Sequence, residues 1–304
     1  MKKFLVKIVV VSILFFFVEK IFYVFLFVSP SIEKDKRLEK VIKGEMNKEI
    51  IVLGSSRGAR NIIASQIEDS LNLSSYNLSY PGSDIEFHEF MLRSLLKFNK
   101  KPKIVLLAVD EPAELLQSET INFRLDRLYP LAKYNYINNE MIKRGEKSFL
   151  SRFLVLSRIN KRNFDLKDKN FSALDTITDC GSMPISFQGK NAQFNYKKTT
   201  DNYSVIDELP NKVDSFLNLQ KLCVSNNIKL ILVFSPNFKK PSILFEERLQ
   251  QLSDAKTSFY AYDTLNYIYR DQSYFYDEYH LLNKGAKIFT NEIIAELKNQ
   301  LKNE

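Results

Sequence analysis

The chain has 304 residues, long enough for one large domain or two small ones, and 45% hydrophobic with 26% charged residues is the composition of a folded protein rather than a disordered tail. Its net charge is +8, but residues 1–37 hold seven basic and three acidic side chains, so half of the excess sits at the amino end and nothing points to nucleic acid as a partner. Two cysteines exclude a disulfide scaffold, no CxxC or Cys/His cluster offers a zinc site, and only His88 and His280 are available for imidazole chemistry.

From Phe4 to Val28 only Lys7, Ser12, Glu19 and Lys20 interrupt an apolar and aromatic run. At about 1.5 Å per helical residue this run can cross a hydrocarbon core of about 30 Å. The Glu19-Lys20 pair is costly in lipid, but the apolar residues on both sides outweigh it. A cleaved signal peptide is the rival, yet the exit FVSPSIEKDK offers no small-x-small cleavage site. Residues 1–29 are therefore expected to be an uncleaved single-pass anchor. The short amino tail would lie inside, with the main body outside the cytoplasm.

A charged linker over residues 30–48 leads into alternating strand and helix patterns. Glu49–Gly54 is a short apolar run that ends on small residues, and Arg57–Leu71 has helical spacing. Next come a strand at Tyr76–Tyr80, the turn Pro81-Gly82, an amphipathic helix over Asp84–Phe98 and a buried-type strand at Ile104–Val109. Beyond Pro210 follow a helix over Val213–Asn226, a strand at Lys229–Phe234, a helix around Leu244–Leu252 and a closing helix over Lys284–Leu301. Strands separated by helices imply a parallel sheet covered on both faces, a three-layer α/β/α sandwich over residues 49–304.

Residues 117–207 break this rhythm. They are rich in Asn, Lys, Asp and Tyr with short apolar patches, and read as an insertion that could cap a site. Lys197-Lys198 and Lys239-Lys240, with Phe194, Tyr196 and Tyr203 near the first pair, could hold a sugar polymer or could be solvated loop. Cys223 falls on a helical apolar pattern and Cys180 in a polar loop, so no obligatory bridge between them is expected.

Gly54-Ser55-Ser56 stands where the first strand should end, the edge at which ligands bind in open α/β sheets. A serine there can present its hydroxyl to the crevice or simply cap a helix. Asp277-Glu278-Tyr279-His280 lies just before the last helix. An Asp three residues ahead of a His can fold back and hold the imidazole in one tautomer, as a base acting on a serine requires, although a lone DxxH is also an ordinary polar turn. His88, on the amphipathic helix with no nucleophile beside it in sequence, is expected at a surface or interface.

Taken together, a Ser at the first strand end and DxxHxxxxG before the final helix resemble the SGNH (GDSL-like) hydrolase superfamily. The likeness is to its membrane-anchored branch, which includes D-alanyl transfer proteins and alginate-type O-acetyltransferases, and it extends over most of residues 49–301. It implies the flavodoxin-like sandwich, Ser56 as nucleophile, His280 as general base, Asp277 as its orienter, and the amides of Ser56 and Gly82 as the oxyanion hole, with no cofactor and no metal. Two departures stand out. Ser55 replaces the usual Asp, and Val109-Asp110-Glu111-Pro112 stands where many members carry an oxyanion Asn. An ionised Asp110 would repel an oxyanion, so it is expected to cap a short helix at 111–117, with Asn191 or Asn195 as conceivable substitute donors.

These residues lead to an expectation of a membrane-anchored esterase or acyltransferase acting on acyl groups of a cell-surface glycan, with an acyl-donor protein as a further partner. The rivals are a non-catalytic scaffold of the same fold in a surface-polysaccharide assembly complex, favoured by the missing Asn, and a purely structural anchored domain.

Overall fold

The computed structural model describes residues 1–164, 172–188, 194, 196, 203–239 and 241–302. Asn191, Asn195, Lys197, Lys198 and Lys240 lie outside these, so the substitute donors and most of the two lysine pairs have no structural account. The chain divides into two compact units. One comprises residues 1–39 with the described residues of 124–164, and the other comprises 40–123 and the described residues from 172 onward.

The second unit is an α/β domain on a five-stranded sheet. Its strands are β1 (Ile50–Gly54), β2 (Ser75–Asn77), β3 (Ile104–Val109), β4 (Lys229–Phe234) and β5 (Ser258–Ala261), in the order β2-β1-β3-β4-β5, every neighbouring pair parallel. Every residue of β1 and β3 is buried, as continuous apolar runs in a parallel sheet should be. Ile50, Val52, Ile104, Leu106, Ile231 and Val233 pack in one core with Phe289, Ile293 and Leu297 of the closing helix Asn283–Lys302. The register sets Gly54 against Ala108, so β1 and β3 end at one edge of the sheet.

Three strands match the expected spans to within a residue, whereas β2 and the first expected helix depart from them. β2 is shorter than expected, yet Leu78 and Tyr80 still donate their amides to Val52 and Gly54 at 2.8 and 2.9 Å, which carries the chain along β1 to Gly82. The expected helix over Arg57–Leu71 is two helices, Ser56–Asn61 and Ala64–Leu71, with Ile62 extended between them. The cause is side-chain competition for the backbone: the Ile62 carbonyl accepts from Asn77 Nδ2 at 2.9 Å and Ser182 Oγ at 3.0 Å instead of from the next turn. Asp84 caps the helix Ile85–Phe98 by accepting the Phe87 amide at 3.1 Å, and Pro210 opens the helix Pro210–Ser225 at its first position. Cys180 and Cys223 carry free thiols.

In the first unit, Lys2–Ile32 is a helix long and apolar enough to cross a membrane, with a local irregularity at Phe22 between its two segments. Within the expected linker, Arg37–Ile42 is helical, and Arg37 pairs with Asp35 at 2.7 Å with both side chains buried.

Candidate active site

Ser56 opens its helix directly after β1 because Gly54 lets the chain turn there. Gly54 sits at φ +147°, and a Cβ on it would come within 2.8 Å of the Ala108 carbonyl, so only glycine fits at this strand end. At the far end of the sequence, the loop before the closing helix carries Asp277 and His280. The Asp277 carboxylate accepts the backbone amides of Tyr279 at 2.8 Å and His280 at 2.9 Å, a local turn of the kind Asp favours. It also receives His280 Nδ1, at 2.9 Å from Oδ1 and 2.8 Å from Oδ2.

His280 Nε2 lies 2.7 Å from Ser56 Oγ across a separation of 224 residues. With Nδ1–H directed to a carboxylate that can only accept, the neutral ring leaves Nε2 as the acceptor of the Ser56 hydroxyl proton. Burial acts against the charge on Asp277, but the His280 hydrogen bond and the two backbone amides outweigh it and hold the carboxyl below its ordinary value.

These side chains open into a cavity of about 540 Å³, lined also by Gly82, Arg57, Asp110, Lys239 and Tyr279. The structure thus brings Ser56, Asp277, His280 and Gly82 to one place, with Ser56 half-buried and the His280 side chain 15% exposed. Gly82 stands at φ +75° in the turn that follows Tyr80.

Asp110 does not cap a helix. Residues 111–115 form turns, and the Asp110 carboxylate instead meets Arg57 Nε at 3.2 Å, both side chains being at most 5% exposed. Burial raises the Asp110 carboxyl pKa, with Arg57 acting against it and Glu114 adding to it. Arg57 also lies over the Tyr279 ring at 5.4 Å, as does Lys239 from its own position, and Arg57 Nη1 is buried with no hydrogen-bond partner among the described residues.

His88 is not at a surface. It is 1% exposed, with Nε2 at 2.9 Å from Ser83 Oγ and Nδ1 at 3.2 Å from Glu114 Oε1, while Glu114 Oε2 accepts the Asp110 amide at 3.0 Å. The acids adjacent to it in sequence suggested exposure, whereas Glu86, Glu89 and Arg93 stay half-buried on the outer side of the helix and His88 turns inward to Ser83 and Glu114. The network ties the residue after Gly82 to the turn after β3, two walls of the cavity.

Asn61 is the site residue that sequence reasoning missed. Fully buried at the end of the Ser56 helix, it donates to Ser235 Oγ at 2.7 Å and the Tyr279 carbonyl at 3.4 Å and accepts the Leu281 amide at 2.9 Å. It therefore grips the chain on both sides of His280. No local pattern marks it, since Arg57, Arg60 and Asn61 all follow Ser56 in one short polar helix. Among the described residues no three His, Cys, Asp or Glu side chains gather as a metal-ligand set.

Set against known proteins, the chain matches no family model and no curated protein.

Proposed function

We propose that this chain is a membrane-anchored serine esterase or O-acyltransferase of SGNH type, acting on acyl groups of a cell-surface glycan with its α/β domain outside the cytoplasm. The observation that carries the chemistry is the continuous chain from Ser56 Oγ through His280 to Asp277 at the mouth of a cavity. Ser56 Oγ attacks the acyl carbonyl while His280 Nε2 takes its proton. The same proton then goes to the leaving alkoxide, giving an acyl-Ser56 intermediate. Water or a sugar hydroxyl, deprotonated by His280, attacks that ester and restores Ser56. Asp277 stays ionised and orients the ring throughout. The amides of Ser56 and Gly82, both residues lining the cavity, are assigned to the developing oxyanion by the likeness to the SGNH fold, and the Ser56 amide, one of the first in its helix, has no intrahelical acceptor.

The SGNH assignment draws on residue order, Gly54-Ser55-Ser56 first and Asp277 with His280 last, and on a parallel sheet buried on both faces at its centre, in keeping with a three-layer α/β/α sandwich. The glycan and the placement outside the cytoplasm draw on the likeness to the anchored branch and on the apolar helix Lys2–Ile32. The test is labelling of full-length protein in detergent by a serine-directed phosphonate, with mapping of the adduct. The expected outcome is modification at Ser56, abolished by Ser56→Ala and by His280→Ala.

A second reading, a non-catalytic scaffold that uses the same cavity to bind, is favoured by one observation: Asp110, paired with Arg57, occupies the position where an oxyanion Asn would stand. It requires that Ser56→Ala leave surface-glycan acylation in the cell unchanged at normal protein levels, whereas the enzyme requires its loss.

A further inference from the structure

The first unit carries a feature that acyl-transfer chemistry does not use. Phe149–Arg152 is a 3-10 turn capped by Ser148, whose Oγ accepts the Leu150 amide at 3.2 Å, and Val155–Arg158 is a single helical turn. Across these two turns Phe149, Leu150, Phe153 and Leu156 are 56%, 54%, 60% and 40% exposed. The two phenylalanines pack edge to face at 5.6 Å, so they form one patch rather than scattered apolar residues.

What covers the patch follows from where it is tethered. The Glu19 carboxylate, 1% exposed, accepts the amides of Val155 at 2.7 Å and Leu156 at 3.2 Å, and so caps that turn from within the apolar helix Lys2–Ile32. Lys20 pairs with Glu19 and donates to the Phe153 carbonyl at 2.7 Å. Residues 1–18 of the helix are exposed throughout, and packing against the unit begins at Glu19. At about 1.5 Å per residue those 18 positions span about 27 Å, close to the hydrocarbon thickness, so Glu19 and Lys20 fall at its boundary. The exposed Arg152, 4.9 Å from the Phe149 ring centre, supplies a cation at the same level.

We infer that the Phe149–Leu156 segment is a second membrane contact, its Phe and Leu side chains entering the headgroup–acyl boundary of the leaflet beside Glu19 while Lys20 and Arg152 meet lipid phosphates. Aromatic and aliphatic side chains flanked by Lys and Arg are the composition such a boundary selects. The inference rests on the Lys2–Ile32 helix crossing the bilayer and is independent of the chemistry at Ser56.

The chain contains no tryptophan, so a single introduced indole is an unambiguous reporter. Full-length Leu150→Trp and, separately, Val10→Trp are reconstituted into phosphatidylcholine–phosphatidylglycerol vesicles whose acyl chains carry bromine either near the carbonyl end or near the methyl end. The Leu150→Trp protein should emit at a blue-shifted wavelength and be quenched by the shallow bromines, at a depth of about 5–10 Å. The Val10→Trp protein, nine residues from Glu19 and so near the middle of the span, should be quenched by the deeper ones. Quenching of Val10→Trp without quenching of Leu150→Trp would overturn the inference while leaving the anchor in place, and would direct the patch to a protein partner. Absence of quenching in both variants would remove the anchor and the inference together. Circular dichroism matching wild type guards against misfolded variants, and Phe153→Trp, expected to report the same shallow depth, serves if Leu150→Trp does not fold.

Discussion

Asn61 Oδ1 accepts the Leu281 amide at 2.9 Å, so the helix that opens on Ser56 is fastened at its other end to the residue that follows His280. The two partners of the proposed proton transfer are therefore spaced by one short rigid element and one buried side chain, not by their own hydrogen bond alone. Such preorganisation lets a 2.7 Å contact persist without substrate.

Asn61→Ala should leave the Leu281 amide and the Ser235 hydroxyl unsatisfied in the interior. Each such group costs about 1–3 kcal/mol, so the denaturant midpoint should fall clearly. The rate of phosphonate labelling at Ser56, measured on the folded fraction, should fall as well. An unchanged labelling rate would mean that Asn61 supports only stability.

Arg57→Ala should be among the more damaging single changes in the α/β domain. Removing one partner of a buried ion pair strands the Asp110 charge, at a cost of about 3–5 kcal/mol, whereas Arg57→Met with Asp110→Leu together should recover much of the loss. Unfolding curves of Arg57→Ala and of the Arg57→Met, Asp110→Leu double variant decide this.

His88→Leu should also destabilise, by about 1–3 kcal/mol for each of Ser83 and Glu114 left without its ring partner. Because the network ends beside Gly82, kcat for an activated ester should fall more than KM rises. A pure stability loss with unchanged kcat on the folded fraction would confine His88 to packing.

The Asp277 carboxyl pKa is lowered in the folded protein, so its bonds to His280 favour folding while it is ionised. That contribution is fully present above the ordinary carboxyl value near 3.8 and is lost as pH falls through the lower folded value. The difference in thermal midpoint between wild type and Asp277→Asn should accordingly shrink as pH falls below about 4.

Burial pushes the Cys223 thiol up to about 12, with Asp254 adding to the shift, and leaves it 1% exposed. Burial also raises the half-buried Cys180 thiol, so iodoacetamide at pH 8 should label Cys180 slowly in the native protein and Cys223 only on unfolding, where the buried thiol becomes accessible. Peptide mass spectrometry distinguishes the two.

The parts of the fold that local pattern can encode were legible. β1, β3 and β4 are apolar runs buried in a parallel sheet, and residue type with chain order suffices to point to Ser56, Asp277 and His280. β5 escaped because Ser258–Ala261 is a four-residue edge strand, only partly buried, whose Phe259-Tyr260-Ala261 run is too short to set a strand apart from a loop. The break at Ile62 escaped because Asn77 and Ser182, which hold its carbonyl, are remote in sequence. Asn61 and its Leu281 partner are 220 residues apart, and His88 meets Glu114 rather than the acids beside it. Pairings of that kind are properties of the folded contact set, and no window of sequence contains them.

The Glu19 cap also has a history in time. Val155, which completes it, lies 136 residues further along the chain, and at about 5–20 residues per second the ribosome needs roughly 7 to 27 s to supply it. Throughout that interval the amino-terminal helix carries a carboxylate whose later partners do not yet exist. On the proposed reading of Lys2–Ile32 as a membrane anchor, Lys20, next to it in the chain and paired with it in the finished structure, is the counter-charge at hand during insertion, so its replacement by a neutral residue should be felt first in the yield of inserted protein, before any measure of the finished fold.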